Sequence, residues 1–257
     1  MPEPENGLDG QVAVVTGAAN GIGLHLVGHL IARGMRIAAV DTDAAALKRI
    51  EAEMGGDVLA AFAADIRDET AAKQIFDAIE KRWDTPQALV NNAGIVRQGM
   101  LLETTPAMWR EVIDVNLTGA FIYTVEAAKR MRARNYGRIV NVTSHAGLLG
   151  TVTRGAYSAA KAGMIALTRT AAVELAKDGI TSNAVAPGAI ETPRVTATHK
   201  PARRAAWNAA IPQGRYGGMD ELAAAIAFLI SPAASYVNGQ TLSVDGGFSI
   251  AGLLSTT

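Results

Sequence analysis

Tyr157 and Lys161 stand four residues apart in the run RGAYSAAKAG, with only serine and alanine between them. Residues spaced i and i+4 share one helix face, so a phenol and an ammonium would project together from a surface of small residues. A free tyrosine ionises at about pH 10. A neighbouring positive charge favours the phenolate and lowers that value. A phenol tuned this way takes a proton from an alcohol, or returns one to a carbonyl, near neutral pH. Ser144, thirteen residues upstream, adds a hydroxyl that could hold the reacting oxygen.

These groups must be held by the elements around them. Short β-branched apolar runs alternate along the chain with longer helical stretches. Strands are expected at 12–16, 36–40, 58–64, 88–91, 137–144, 180–187 and 240–247. Helices are expected near 22–33, 43–54, 68–82, 106–134, 156–177 and 219–230. The strands are apolar on both faces, as parallel strands buried under helices are. This order predicts a single α/β domain over 1–257: a doubly wound parallel sheet, a Rossmann fold of about seven strands, with helices on both faces. Residues 188–218 are too long for an ordinary connection. They read as an irregular substrate-binding lid.

VVTGAANGIGLHL joins the first strand to the first helix, with glycines at 17, 21 and 23. Gly17 permits a tight turn. Gly21 and Gly23 clear side chains from a helix N-terminus whose free N–H groups favour a pyrophosphate. The strand–turn–helix context is the one a dinucleotide signature requires, and Asn20 and Ile22 belong to the same loop. Asp41 ends the second strand, where its carboxylate would accept from the ribose hydroxyls and repel a 2′-phosphate. Asn20, Thr42 and Asp43 supply no basic alternative, so the expected cofactor is NAD. Asp65 and Ile66 follow the third strand. The Asp65 carboxylate would accept from the adenine amino group or cap the next helix. Asn91, Asn92, Ala93 and Gly94 end the fourth strand, and small residues and amides there suit close approach of a nucleotide or simply a turn.

Lysine plus arginine and aspartate plus glutamate both number 24, so no global field draws the chain to nucleic acid or an anionic membrane. The chain has no cysteine, which excludes disulfides and thiolate metal sites and suits a reducing compartment. The acidic start MPEPENGLDGQ lacks the basic and apolar regions of a signal peptide. The longest apolar runs fall short of the ~20 residues that span a bilayer. These features predict a cytoplasmic protein with no metal.

TGAANGIG, NNAG, NLTG, Ser144 with YSAAK, PGAIET and the terminal VDGG together resemble the short-chain dehydrogenase/reductase family over nearly the whole chain. The resemblance implies that Tyr157 is the catalytic acid/base, that Ser144 orients the substrate, and that Lys161 tunes the tyrosine and binds the nicotinamide ribose. It implies that Asn116, of NLTG, holds a proton-relay water. Pro187, Gly188, Ile190 and Thr192 match the segment that contacts the nicotinamide and its carboxamide, fixing the ring face that delivers the pro-S hydride. A homotetramer is implied as well, through the helices near 106–134 and 156–177 and through YVNGQTLSVDGGFS, with the tail IAGLLSTT set over a neighbour's site. RWDTPQALVNNAG departs from the family, which often has a glycine and an aspartate before LVNNAG, so the shape of this loop stays open.

The expected reaction is hydride transfer between NAD(H) and a secondary alcohol or ketone, with NAD favouring oxidation. The substrate is less defined. Arg194, His199, Lys200, Arg203 and Arg204 face Glu191 alone in the lid. Such a lid would attract an anionic group or is a solvated loop. Arg154, three residues before Tyr157, reads as a pocket-mouth or interface residue. His145 reads as a packed side chain or a second proton carrier. Met100, Leu101, Leu148 and Leu149 read as apolar pocket walls or as core. Two alternatives remain: a 3-oxoacyl-thioester reductase with the same residues, and a non-catalytic NAD(H)-binding sensor or scaffold. The complete Asn116–Ser144–Tyr157–Lys161 set argues against the second. An epimerase or dehydratase would need a further acid/base, and His145 is the one on offer.

Overall fold

A computed structural model describes residues 7–252. Seven strands form one parallel sheet in the order β3-β2-β1-β4-β5-β6-β7. They are β1 (Val12–Thr16), β2 (Arg36–Asp41), β3 (Leu59–Ala63), β4 (Ala88–Asn91), β5 (Gly137–Val142), β6 (Ile180–Pro187) and β7 (Thr241–Val244). Every residue of β1, β4, β5 and β6 is buried, which is why these runs lack the alternation of half-exposed strands; the polar residues they carry, such as Asn141 and Asn183, are buried and hydrogen-bonded. The chain winds outward in both directions from β1, so the C-terminal ends of β1 and β4 flank the crevice where open α/β sheets bind ligands.

Two apolar layers hold the helices on the sheet. On one face, α1 (Gly21–Ile31), α2 (Ala44–Met54) and α9 (Met219–Ile230) bury Leu26, Leu30, Leu47, Ile50 and Ile226 against the strands. On the other, α3 (Glu69–Arg82) and α5 (Gly119–Ala133) bury Ile75, Phe76, Ile79, Tyr123 and Met131. The helix carrying the Tyr157–Lys161 pair, α6 (Gly155–Glu174), packs on β6 and on α4 (Pro106–Ile113).

Two features differ from the sequence expectation, and the structure fixes a third that the sequence left open. The helix expected over 106–134 is interrupted by a π-helical segment at Asp114–Thr118. Its extra residue is accommodated by Asn116, whose buried amide donates to Val112 O and Ile95 O, both at 2.9 Å. The lid is not irregular. It contains α7 (Pro193–Thr198) and α8 (Pro201–Ala210), each opened by a proline at the first helical position, where its missing N–H costs nothing. The departure at RWDTPQ is resolved by Gln87, whose Oε1 accepts from Val12 N at 2.7 Å and whose amide donates to Thr85 O.

The tail residues 253–257 of the expected neighbour-covering segment lie outside the described residues. Among the described residues, no helix is long and apolar enough to cross a membrane.

Candidate active site

The glycine turn is built for close approach. Gly17 and Gly21 have φ of 65° and 54°, the left-handed region that favours glycine. A Cβ on Gly23 would overlap the Gly17 carbonyl oxygen, and one on Gly17 would stand 2.7 Å from the Ala93 Cα. Asn92 pins the turn, its amide donating to Thr16 O at 2.9 Å and Gly17 O at 3.0 Å. No side chain stands within 4 Å of where a Gly21 Cβ would lie, which leaves the α1 N-terminus open to an anion.

Asp41 lies at the tip of β2 and reaches this turn, accepting from Ala19 N at 3.0 Å. It lines a cavity of about 340 Å³ with Gly17, Asp65, Ile66, Ala93 and Gly94. Arg67 and Arg97 enter the same cavity, but each is engaged: Arg67 with Asp65 and Arg97 with Glu111. The Arg67 hydrogen bonds hold Asp65 below its ordinary carboxylate value. Asp65 does not cap the next helix. Asp68 does, accepting from Ala71 N. Asn91 points elsewhere than the crevice. Its amide donates to Asn141 Oδ1 at 2.8 Å, and Asn141 donates to Thr168 Oγ1 on α6. That ladder ties the sheet to α6, so Asn91 braces the helix rather than meeting a ligand with its side chain. Asn20 is exposed at the α1 N-cap and lines neither cavity.

A second cavity of about 520 Å³ shares Gly94 with the first. Ser144, Tyr157 and Lys161 line it together with Ile22, Pro187, Gly188, Ile190 and Thr192. Ser144 sits just beyond β5, and its Oγ accepts from Ala146 N at 3.1 Å, which leaves the hydroxyl proton to donate. Tyr157 forms part of the wall on the first turn of α6. Its phenol is pushed above the ordinary value by burial, against the influence of the Ser144 hydroxyl and the Arg154 charge. In the protein alone this reverses the expected lowering.

Lys161 is desolvated as well. It is 3% exposed, and burial pushes its pKa down to about 7. Its Nζ donates to Val142 O at 2.9 Å and stands 5.7 Å from the Tyr157 ring centre. Asn116 lies beneath these groups rather than in the cavity wall. Its Oδ1 is buried without a partner, 2.5 Å from where a Gly94 Cβ would lie, so only glycine fits at 94.

His145 is packed: its ring meets Trp207 and Phe248 edge-on. Its Nδ1 lies 3.2 Å from Pro187 O and must carry the proton to donate there. Burial lowers its pKa, so it bridges Ser144 and Pro187 as a neutral ring. Thr192 Oγ1 caps α7 by accepting from Val195 N. Asp245, of VDGG, lies against Gly188, where a Cβ would be 2.6 Å from the Asp245 Cβ.

The lid residues separate into two groups. Arg194, His199 and Arg203 line the cavity, as does Arg154 from the start of α6. Arg204 does not; it pairs with Glu191 and covers the Tyr216 ring at 4.7 Å. Its place in the candidate substrate set is thus corrected, because the lid carboxylate turns it away. Met100, Leu101, Leu148 and Leu149 are exposed and line neither cavity nor core. Trp207 was missed in the sequence; it stands four residues after Arg203 on α8, a spacing that places both on one helix face. His25, His29 and Asp220 cluster between α1 and α9, with His25 Nε2 2.7 Å from Asp220 Oδ1, and line neither cavity.

A parallel sheet with a glycine turn at its switch point, opening on a cavity that holds a serine, a tyrosine and a lysine, defines a dinucleotide-dependent oxidoreductase scaffold. Residues 17–249 match the family described as enoyl-(acyl carrier protein) reductase. The 3-oxoacyl-[acyl-carrier-protein] reductase FabG of Salmonella typhimurium is 36% identical over 93% of this chain and 97% of its own. The galactitol 2-dehydrogenase (L-tagatose-forming) of Cereibacter sphaeroides is 41% identical over 95% of this chain and 96% of its own. The crystal structure of levodione reductase superposes with a TM-score of 0.90 at 34% identity, covering 95% of this chain and 99% of that one. The chain belongs to the short-chain dehydrogenase/reductase family and is an oxidoreductase.

Proposed function

We propose that the protein is an NAD(H)-dependent dehydrogenase of secondary alcohols, working in reverse as a ketone reductase. The observation that carries this reading is the shared cavity of Ser144, Tyr157 and Lys161 beside the glycine turn. The nicotinamide, when bound, supplies the site that accepts or gives the hydride. Ser144 donates to the substrate oxygen, and Tyr157 takes the hydroxyl proton as the carbon–hydrogen bond breaks. Lys161 binds the ribose and lends charge to the phenol. Asn116 positions the segment through which the proton leaves. Pro187, Gly188, Ile190 and Thr192 form the wall against which the nicotinamide lies.

NAD is favoured over NADP by the adenosine cavity. Asp41 is a carboxylate there, and the two arginines beside it are already bound to Asp65 and Glu111, so neither cation is free for a 2′-phosphate. A homotetramer is supported by an apolar groove between α5 and α6, lined by Phe121, Val125, Leu167 and Ala171. A cytoplasmic setting accords with the absence of cysteine. The test is NAD and NADP reduction measured over a panel of secondary alcohols with wild type and Tyr157→Phe. Turnover with NAD, lost in the variant, is expected. Undiminished turnover in the variant would refute the assignment.

A further inference from the structure

The lid makes one wall of a neutral protein strongly cationic. The cavity at Tyr157 is lined by three arginines and by no aspartate or glutamate. The arginines come from three elements: Arg154 stands at the N-cap position of α6, Arg194 lies in the first turn of α7, and Arg203 in the first turn of α8. Seven other arginines, at 67, 97, 130, 132, 134, 204 and 215, each pair with a carboxylate. Among the described residues, Arg154, Arg194 and Arg203 have no such partner, which several arginines outside the cavity also lack, but these three share one cavity without a carboxylate, and the nearby Glu191 is taken by Arg204.

This arrangement has a cost that a bound anion would remove. Arg154 is half-buried; burial lowers its pKa, and Arg203 and Arg194 lower it further by repulsion. His199 is lowered by burial and then by Arg203, Arg154 and Arg204, so it adds a neutral donor or acceptor rather than a fourth charge. Guanidiniums that converge without a carboxylate present forked donors suited to an oxyanion.

We propose that the substrate is a small secondary alcohol or ketone bearing an oxyanion (carboxylate, sulfonate or phosphate) that Arg154, Arg194 and Arg203 hold while its carbinol oxygen meets Ser144 and Tyr157. The inference rests on the dehydrogenase reading and specifies its substrate class. Arg154 stands three residues before Tyr157 and acts electrostatically on its phenol. Anion and reacting carbon therefore share one cavity. A pantetheine-borne thioester, whose phosphate lies at the far end of a long arm, fits this closeness poorly.

The test compares matched pairs at saturating NAD: 3-hydroxybutyrate with its methyl ester, 2-hydroxypropanesulfonate with propan-2-ol, and glycerol 3-phosphate with glycerol. In at least one pair, kcat/KM for the anion should exceed that of its neutral partner by about tenfold or more. Arg194→Gln and Arg203→Gln should each reduce that ratio roughly tenfold, mainly through KM, with partial recovery in Arg203→Lys. Equal kcat/KM for anion and neutral partner in every pair, or a preference that the substitutions leave unchanged, would overturn the inference. Calorimetric binding of the same three anions to the NADH-loaded protein gives a second readout. Anion binding without turnover of any alcohol would sink the dehydrogenase reading and sustain the anion site. Turnover of a 3-oxoacyl thioester, with no small anion bound at millimolar concentration, would sink the anion site alone.

Discussion

Lys161 donates to the carbonyl of Val142 at 2.9 Å, so the ammonium of α6 is anchored to the end of β5, directly before the segment that carries Ser144. The lysine therefore does two things at once. It fixes the first turns of α6 against the sheet, and it sets a buried charge beneath Tyr157. Burial opposes that charge, with a pKa pushed down to about 7.

The buried lysine gives stability a pH dependence of definite sign. Between about 7 and the ordinary lysine value of 10.5, the unfolded chain holds more protons at this site than the folded one. Stability must then rise with pH through that window. Relative to Lys161→Met, the cofactor-free wild type should gain melting temperature from pH 7 to 10, as read by calorimetry of both proteins. A gap that is flat with pH would show that the lysine keeps its ordinary pKa.

Tyr157 should be indispensable to chemistry and dispensable to binding. Replacement by phenylalanine removes the proton acceptor and should cut kcat by about 10²–10⁴-fold, with NADH affinity from fluorescence titration little changed. The Arg154 charge lowers the Tyr157 pKa, so Arg154→Ala should raise it. The acid limb of alcohol oxidation, plotted as log kcat/KM against pH, should move to higher pH in that variant.

Gly23→Ala should abolish cofactor binding without abolishing the sheet. A methyl at 23 would overlap the Gly17 carbonyl oxygen and approach Asn92 Nδ2, forcing the turn away from the α1 N-terminus. NADH titration should show no saturable binding, while the far-ultraviolet circular dichroism keeps its α/β form.

Asp41 should set cofactor choice. Asp41→Asn removes the carboxylate that would pair with the ribose hydroxyls and repel a phosphate. The KM for NAD should rise about tenfold, an amount typical of one lost charge-assisted hydrogen bond, and the NAD/NADP ratio of kcat/KM should fall. A ratio that stays put would mean that discrimination lies elsewhere in the cavity.

The groove between α5 and α6 should be an assembly surface. Phe121 is half exposed, and Leu167 lines the groove across from it on α6. Phe121→Asp together with Leu167→Asp should lower the mass measured by light scattering from that of the wild-type assembly. An unchanged mass would move the interface to another face.

The parallel sheet, its helices and the dinucleotide turn were legible along the chain because their signals are local: β-branched runs, a strand–turn–helix glycine pattern, and a tyrosine and lysine at helical spacing. What only the folded chain decided were relations between distant segments. The π-helical turn at Asp114–Thr118 depends on Asn116 meeting the Ile95 carbonyl, a contact no helical periodicity predicts. Asn91 faces Asn141 and braces α6 because β4 and β5 are neighbours, an adjacency absent from a linear pattern. Two adjacent lid arginines parted company, Arg203 into the cavity and Arg204 onto Glu191, since consecutive helical residues project about 100° apart. The tyrosine's acidity was set the same way: a lysine at helical spacing is written in the chain, but the burial that raises the Tyr157 pKa and lowers that of Lys161 exists only once the surrounding layers close over both.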